Sequence, residues 1–125
     1  MENQTTILYV DDESINIYLF RRLMSRFNYN ILTAESGEEG LEIMHGTPSI
    51  PLIISDMRMP GMNGVEFITL AKKISPATVC FLLTSYDITP DISKAMENKL
   101  VSRYIRKPFD QHQMHDFIRE SINHS

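Results

Sequence analysis

Apolar residues gather into five short runs along the chain: TILYV (6–10), ILTA (31–34), PLIIS (51–55), TVCFLLT (78–84) and SRYIR (102–106). Each is short and most are rich in branched or aromatic side chains, which predicts β-strands. The intervals between them have helical spacing. Ile15, Leu19, Leu23 and Phe27 fall four apart with Phe20 and Met24 beside them. Leu70 and Ile74 repeat the step in the third interval, and Met114, Phe117, Ile118 and Ile122 continue it in the last. Ser36 with Glu39, Asn63 with Glu66 and Asp110 with Gln113 each suit a reciprocal capping pair at a helix start. Thr89-Pro90 reads as an N-cap followed by proline at the first helical position. Strand and helix alternate five times, which predicts an α/β fold, a parallel sheet with helices on both faces. Nearly continuous runs such as LYV and FLL suit strands covered on both sides.

The residues that close the strands change the picture. The first run ends in Asp11-Asp12, the third in Asp56, the fourth in Thr84-Ser85 and the fifth in Lys107-Pro108. In an open parallel sheet those carboxyl ends share one edge, and ligands bind in the crevice there. Three clustered carboxylates repel one another strongly. A hard divalent cation relieves that repulsion, and Mg²⁺ suits one or two carboxylates plus waters plus a phosphate oxygen. Lys107 adds a point charge for a phosphate, and Thr84 a hydroxyl donor. Taken singly, each residue has a plainer role: Asp12 favours a helix dipole, Thr84 fills a strand, Lys107 is a solvated charge. Their joint placement at the ends of different strands outweighs those readings. After Asp56 the stretch LIISDMRMPGMNG (52–64) becomes a loop whose glycines permit unusual backbone angles and whose Pro60 stiffens the path.

Composition narrows the class. The 125 residues suit one domain, 1–125, with a single substantial core. Twelve basic against sixteen acidic residues, a formal charge of −4, leave no electrostatic footprint for nucleic acid or an anionic membrane surface. The lone Cys80 has no internal disulfide partner, and its place in VCFLL marks a buried thiol. The start, MENQTTILYV, lacks a signal-peptide pattern, and no run approaches a transmembrane helix, so the expected location is cytoplasmic. His112 and His115 stand three apart on the last helix with Asp116 adjacent; with no other ligand evident, a solvated helix face is favoured over a metal pair. Met24, Met44, Met96 and Met114 fall in helical segments and read as ordinary packing.

With these motifs in place, the chain resembles the receiver domains of two-component response regulators over essentially its whole length. ILYVDDE (7–13) is similar to the family's first strand and acidic pair, and YNILTAESGEEGLEIM (29–44) to its second strand and helix. SDMRMPGMNG (55–64) resembles the phosphoacceptor loop, FLLTSY (81–86) the fourth strand, and YIRKPF (104–109) the lysine-proline motif. The resemblance implies a flavodoxin-like, doubly wound (βα)5 fold with five parallel strands in the order 2-1-3-4-5. It makes Asp56 the phosphoacceptor, taking a phosphoryl group from a phosphohistidine on a sensor histidine kinase or phosphotransfer protein. Asp12 directly, Asp11 through water, Asp56 and the backbone carbonyl of Arg58 would hold Mg²⁺, with Mn²⁺ as a substitute. Lys107 would pair with the phosphoryl oxygens, and Thr84 and the Ser85 backbone N–H would hydrogen-bond to them. Pro108 matches a cis-proline position and Tyr104 a switch aromatic that turns inward as Thr84 moves. The resemblance further implies a switch rather than a turnover enzyme, which catalyses its own phosphorylation and dephosphorylation. Its output would pass to a further domain or a downstream protein through the face of the fourth helix, fifth strand and fifth helix, with a phosphorylation-dependent dimer as one form of output.

The sequence departs from the family before the last strand. Where many receivers carry a Gly-Ala turn, this chain reads ENKLVSRYIRKPF, similar to a subset joined to cyclic-dinucleotide phosphodiesterase or transcription-activator outputs. Arg58 and Tyr86, two residues after Asp56 and Thr84, stand at positions that the resemblance implies flank the path of attacking water, and Tyr86 is expected to slow phosphoaspartate hydrolysis. Three rival readings stand beside this one. An aspartyl phosphatase of the haloacid dehalogenase class wants a second acid where Arg58 stands. A flavodoxin-like FMN carrier wants a Ser/Thr/Gly-rich loop after the first strand. A pseudo-receiver would have lost part of the constellation.

Overall fold

The computed structural model describes residues 4–47 and 49–122. Five strands, β1 (Thr5–Val10), β2 (Tyr29–Ala34), β3 (Leu52–Asp56), β4 (Val79–Thr84) and β5 (Arg103–Arg106), alternate with five helices. These are α1 (Ser14–Met24), α2 (Gly37–Gly46), α3 (Gly64–Ile74), α4 (Pro90–Glu97) and α5 (Gln111–Ile122). All strand pairs are parallel, in the order β2-β1-β3-β4-β5, as the alternation and the resemblance imply. Among the described residues no helix is long and apolar enough to cross a membrane.

The near-continuous apolar strands are explained by burial on both faces. Side chains alternate along a strand, so Leu8, Val10, Ile53, Cys80 and Leu82 meet Met44 of α2, Phe67 and Ile68 of α3 and Ile92 of α4. Their neighbours Ile7, Tyr9, Ile54, Phe81, Leu83 and Ile105 meet Phe20 and Met24 of α1 and Met114 and Ile118 of α5. Cys80 is buried in the first of these layers, where burial pushes its thiol up to about 12.

Two sequence patterns resolve differently from their simplest form. The spaced stripe on α1 is not its buried face: Ile15 and Leu19 are 58 % and 46 % exposed, while Phe20 and Met24 are sealed. The helix is rotated so that the row beside the stripe meets the sheet. Of the three capping pairs, only Asn63 and Glu66 form a reciprocal box, at 2.9 Å in both directions. Ser36 and Asp110 each accept one N–H, from Glu39 at 3.0 Å and Gln113 at 2.9 Å. Thr89 caps α4 with Pro90 following, as its sequence predicts.

His112 and His115 are packed rather than merely solvated. The His115 ring stacks on Phe27 with centroids 4.0 Å apart, and His112 meets the same ring edge-on. Burial pushes the Tyr29 phenol up to about 12, and its hydroxyl is hydrogen-bonded to His115 Nδ1 at 2.6 Å. An Arg26 guanidinium nitrogen lies 3.3 Å from His112 Nε2. Together these contacts tie α5 to the turn entering β2.

Burial, then the charge of Arg119, lowers the His115 pKa from 6.5, against a smaller opposing effect of Asp116 and a further lowering by His112. The unfolded chain therefore binds the proton more readily, and the contact's stability is present above the unfolded pKa and lost as pH falls from there through the folded pKa. In thermal melts, His115→Gln is expected to lower Tm relative to wild type more at about pH 7.5 than at about pH 5.5. An equal deficit at both pH values would contradict this.

Candidate functional site

β1 and β3 are sheet neighbours, so their carboxyl ends deliver two carboxylates one strand apart. The Asp11 N–H donates to the Ala34 carbonyl at 3.1 Å, which carries the β1–β2 ladder up to the acidic pair. The Glu13 N–H then turns back to Asp11 Oδ1 at 3.0 Å. Asp11, Asp12 and Asp56 each offer a carboxylate oxygen, and these atoms lie within 4.8 Å of one another. Asp11 is 0 % exposed and Asp56 7 %, while Asp12 is half-buried.

The cation arrives from β5. The Lys107 N–H donates to the Thr84 carbonyl at 2.9 Å, and the Lys107–Pro108 peptide is cis. From there Nζ reaches Asp56 Oδ1 at 2.5 Å and lies 3.7 Å from Asp11 Oδ2. Burial raises the Asp56 pKa, and Lys107, by its hydrogen bond and charge, pulls against that rise; Asp11 and Asp12 add to it. Burial alone would lower Lys107, but the hydrogen bond and charge of Asp56, helped by Asp11, outweigh it and leave its pKa raised.

Magnitudes show why one ammonium is not enough. Charges 4 Å apart interact by about 4 kcal/mol at an effective dielectric near 20. Three carboxylates against one ammonium leave a formal −2 in a largely buried cleft. The donors are carboxylate oxygens without imidazole or thiolate, a set that fits a hard divalent cation such as Mg²⁺ or Mn²⁺.

The loop after Asp56 holds its place by close approach. The Gly64 N–H donates to the Met57 carbonyl at 2.9 Å. A Cβ at Gly64 would collide with the Asp56 carbonyl oxygen and stand 2.7 Å from Leu82 Cδ1. Only glycine lets α3 start so near the strand tip. Gly61 takes φ +75°, the left-handed region that glycine adopts without strain.

Thr84 is buried, and its Oγ1 accepts the Tyr86 N–H at 3.1 Å. Ser85 is exposed and, with Lys107 and Pro108, borders a cavity of about 340 Å³ beneath α1. Tyr104 is half-buried, in register with Leu82 and packed at the rim of the α2–α4 layer. Arg58 is exposed, and its guanidinium carbon sits 4.6 Å from the Tyr86 ring centroid, so the loops after β3 and β4 touch. The four charged residues of the constellation thus meet in one cluster, with Thr84 and Ser85 at the adjoining strand end. One residue in this network was not singled out from the sequence. Tyr9 donates its hydroxyl to Asp11 Oδ2 at 2.9 Å. The available signal was its position two before Asp11, which puts both on one face of β1.

An open parallel sheet with an all-oxygen acidic cleft and an ammonium at its carboxyl edge defines a doubly wound α/β protein. The family model for the response regulator receiver domain matches residues 7–119, and the chain belongs to that family, the receiver domains of two-component response regulators. It is 29 % identical over 119 residues to the transcriptional regulatory protein GlrR of Escherichia coli (strain K12), an alignment covering 95 % of this chain and 26 % of that protein. It is 28 % identical over 120 residues to a cyclic di-GMP phosphodiesterase of Thermotoga maritima, covering 96 % of this chain and 30 % of that one. The chain therefore spans between a quarter and a third of the length of these relatives. Among solved structures, a response regulator receiver domain protein from Clostridium thermocellum superposes with a TM-score of 0.89 at 31 % identity, covering 96 % of this chain and 95 % of that one.

Lys107 holds the Asp56 proton affinity down, so Lys107→Met is expected to move the Asp56 carboxyl titration to higher pH. Carboxyl ¹³C NMR of the metal-free protein reads this; an unmoved midpoint, or one moved to lower pH, would contradict it.

Proposed function

We propose that residues 1–125 form one receiver unit that accepts a phosphoryl group on Asp56 from a phosphohistidine of a sensor kinase or phosphotransfer protein. The observation that carries this reading is the cluster of Asp11, Asp12 and Asp56 with Lys107 bonded to Asp56 Oδ1. Receiver domains bind Mg²⁺ at such an acidic cluster, and here Asp11, Asp12, Asp56 and the Arg58 backbone carbonyl are the residues that would hold it. When bound, the ion neutralises charge on the phosphoryl oxygens.

The chain's own residues do the rest. A carboxylate oxygen of Asp56 attacks phosphorus, the N–P bond breaks, and the leaving imidazole keeps the electron pair. Phosphoryl transfer needs alignment and charge neutralisation more than covalent help. Lys107 shifts from the carboxylate to the phosphoryl oxygens, and the Thr84 hydroxyl and Ser85 N–H donate to them. The phosphoryl group adds roughly −1.5 to −2 of charge at a fixed point. Thr84 moving toward it frees the space into which half-buried Tyr104 turns, and the surface formed by α4, β5 and α5 changes with it. That surface would meet an output domain, a downstream protein or a second phosphorylated copy, and the chain would work in the cytoplasm without direct contact to nucleic acid or membrane. The domain acts as a switch, with one phosphoryl group gained and lost rather than a substrate turned over.

Incubation with acetyl phosphate and Mg²⁺ is expected to add one labile phosphoryl group, seen by intact-mass spectrometry. Asp56→Asn and omission of metal should each abolish it. An unmodified wild-type protein in the presence of Mg²⁺ would overturn the reading in favour of a pseudo-receiver, and continuous release of phosphate from small phosphoesters would favour a phosphatase. In receiver domains these two positions flank the path of attacking water, and here Arg58 and Tyr86 are in contact, so Tyr86→Ala is expected to shorten the phosphoaspartate lifetime severalfold. An unchanged lifetime would remove the shielding role.

A further inference from the structure

Tyr9 is the one residue of β1 whose side chain joins the acidic cleft from inside the core. It is 2 % exposed, in a strand otherwise occupied by aliphatic side chains over Ile7–Val10. A buried phenol must find a hydrogen-bond partner, and this one donates to Asp11 Oδ2 at 2.9 Å. Its ring is held flat against Phe20 of α1, centroids 4.1 Å apart and planes 9° apart. The hydroxyl is therefore aimed before any ligand arrives.

Consider what this does to Asp11. Its side chain is fully buried, and a buried carboxylate is costly unless its oxygens are satisfied. Oδ1 takes the Glu13 N–H and Oδ2 takes the Tyr9 hydroxyl, so the carboxylate plane is pinned at both ends. Lys107 Nζ, at 3.7 Å from Oδ2, is beyond hydrogen-bond distance and bonds to Asp56 instead. Without the phenol, Lys107 would be the remaining positive neighbour for Oδ2, and Asp11 would compete with Asp56 for it.

We propose that Tyr9 is a positioning residue for the metal site: its hydroxyl fixes the orientation of the buried Asp11 carboxylate and thereby sets the affinity of the cleft for a divalent cation. This rests on the reading of the cleft as a Mg²⁺ site and adds a residue acting through Asp11. The plainer alternative, a core aromatic whose hydroxyl merely found an acceptor, predicts that phenylalanine would serve as well.

The test is a MgCl₂ titration of the metal-free protein followed by amide NMR, in wild type, Tyr9→Phe, Asp11→Asn and the double variant. Tyr9→Phe keeps the ring and its stack on Phe20. It is expected to weaken Mg²⁺ binding by about tenfold, the lower end for loss of an outer-shell partner. In the Asp11→Asn background the same change should add little, because the phenol acts through that carboxylate. Unchanged affinity in Tyr9→Phe, or an equal loss with and without Asp11, overturns the proposal. Should Tyr9→Phe fail to fold, Phe20→Leu loosens the ring while keeping the hydroxyl; weaker Mg²⁺ binding supports the proposal and unchanged binding overturns it. Wild type failing to bind Mg²⁺ would overturn the metal reading and this proposal together, whereas failure of the variants alone to differ overturns only the role of Tyr9.

Discussion

The Lys107 ammonium bonded to Asp56, with Asp11 just beyond, is the interaction on which the rest of the site depends. It offsets part of a cluster of carboxylates that burial and mutual repulsion would otherwise drive apart or protonate. It does so incompletely, and the incompleteness is useful. A fully neutralised cleft would have no call for a divalent cation, and an unpaired one would be too costly to bury. Three carboxylates against one ammonium leave a formal −2, and that all-oxygen set fits a hard divalent cation.

The fold exists to hold that balance. Four of the five strands contribute a tip to the cleft, and their parallel pairing puts all four tips on the same edge. The strands are sealed by α1 and α5 on one face and α2, α3 and α4 on the other, which leaves the charged tips little freedom to relax. Gly64 lets α3 begin against the Asp56 strand end, where any side chain would collide with the Asp56 carbonyl and Leu82. The strand ends carry the charges, while Arg58, Ser85 and Tyr86 on the loops beyond them are exposed.

Much of this was legible in the sequence, for identifiable reasons. Short apolar runs found every strand, and the polar residues closing four of them found the cleft, because strand order converts positions far apart in the chain into neighbours. What escaped detection was chemistry that looks like packing. Tyr9 reads as a core aromatic, and only the geometry reveals that its hydroxyl is spent on Asp11. His112 and His115 read as a solvated pair, yet one stacks on Phe27 and is hydrogen-bonded to Tyr29, residues more than eighty positions away. The apolar stripe of α1 has clear helical spacing, but which row meets the sheet is decided by helix rotation, a tertiary property that spacing leaves open.

The central claim is that the acidic cluster and Lys107 act as one unit that receives cation and phosphoryl group together. Titration of the metal-free protein with beryllofluoride, a phosphoryl analogue, followed by ¹⁵N amide spectra with and without Mg²⁺, tests it most directly. The amides of Asp12, Asp56, Thr84, Ser85 and Lys107 should shift together in one saturating step, and only when Mg²⁺ is present. Shifts of equal size without Mg²⁺, or a response with Mg²⁺ that leaves these residues unmoved, would contradict it.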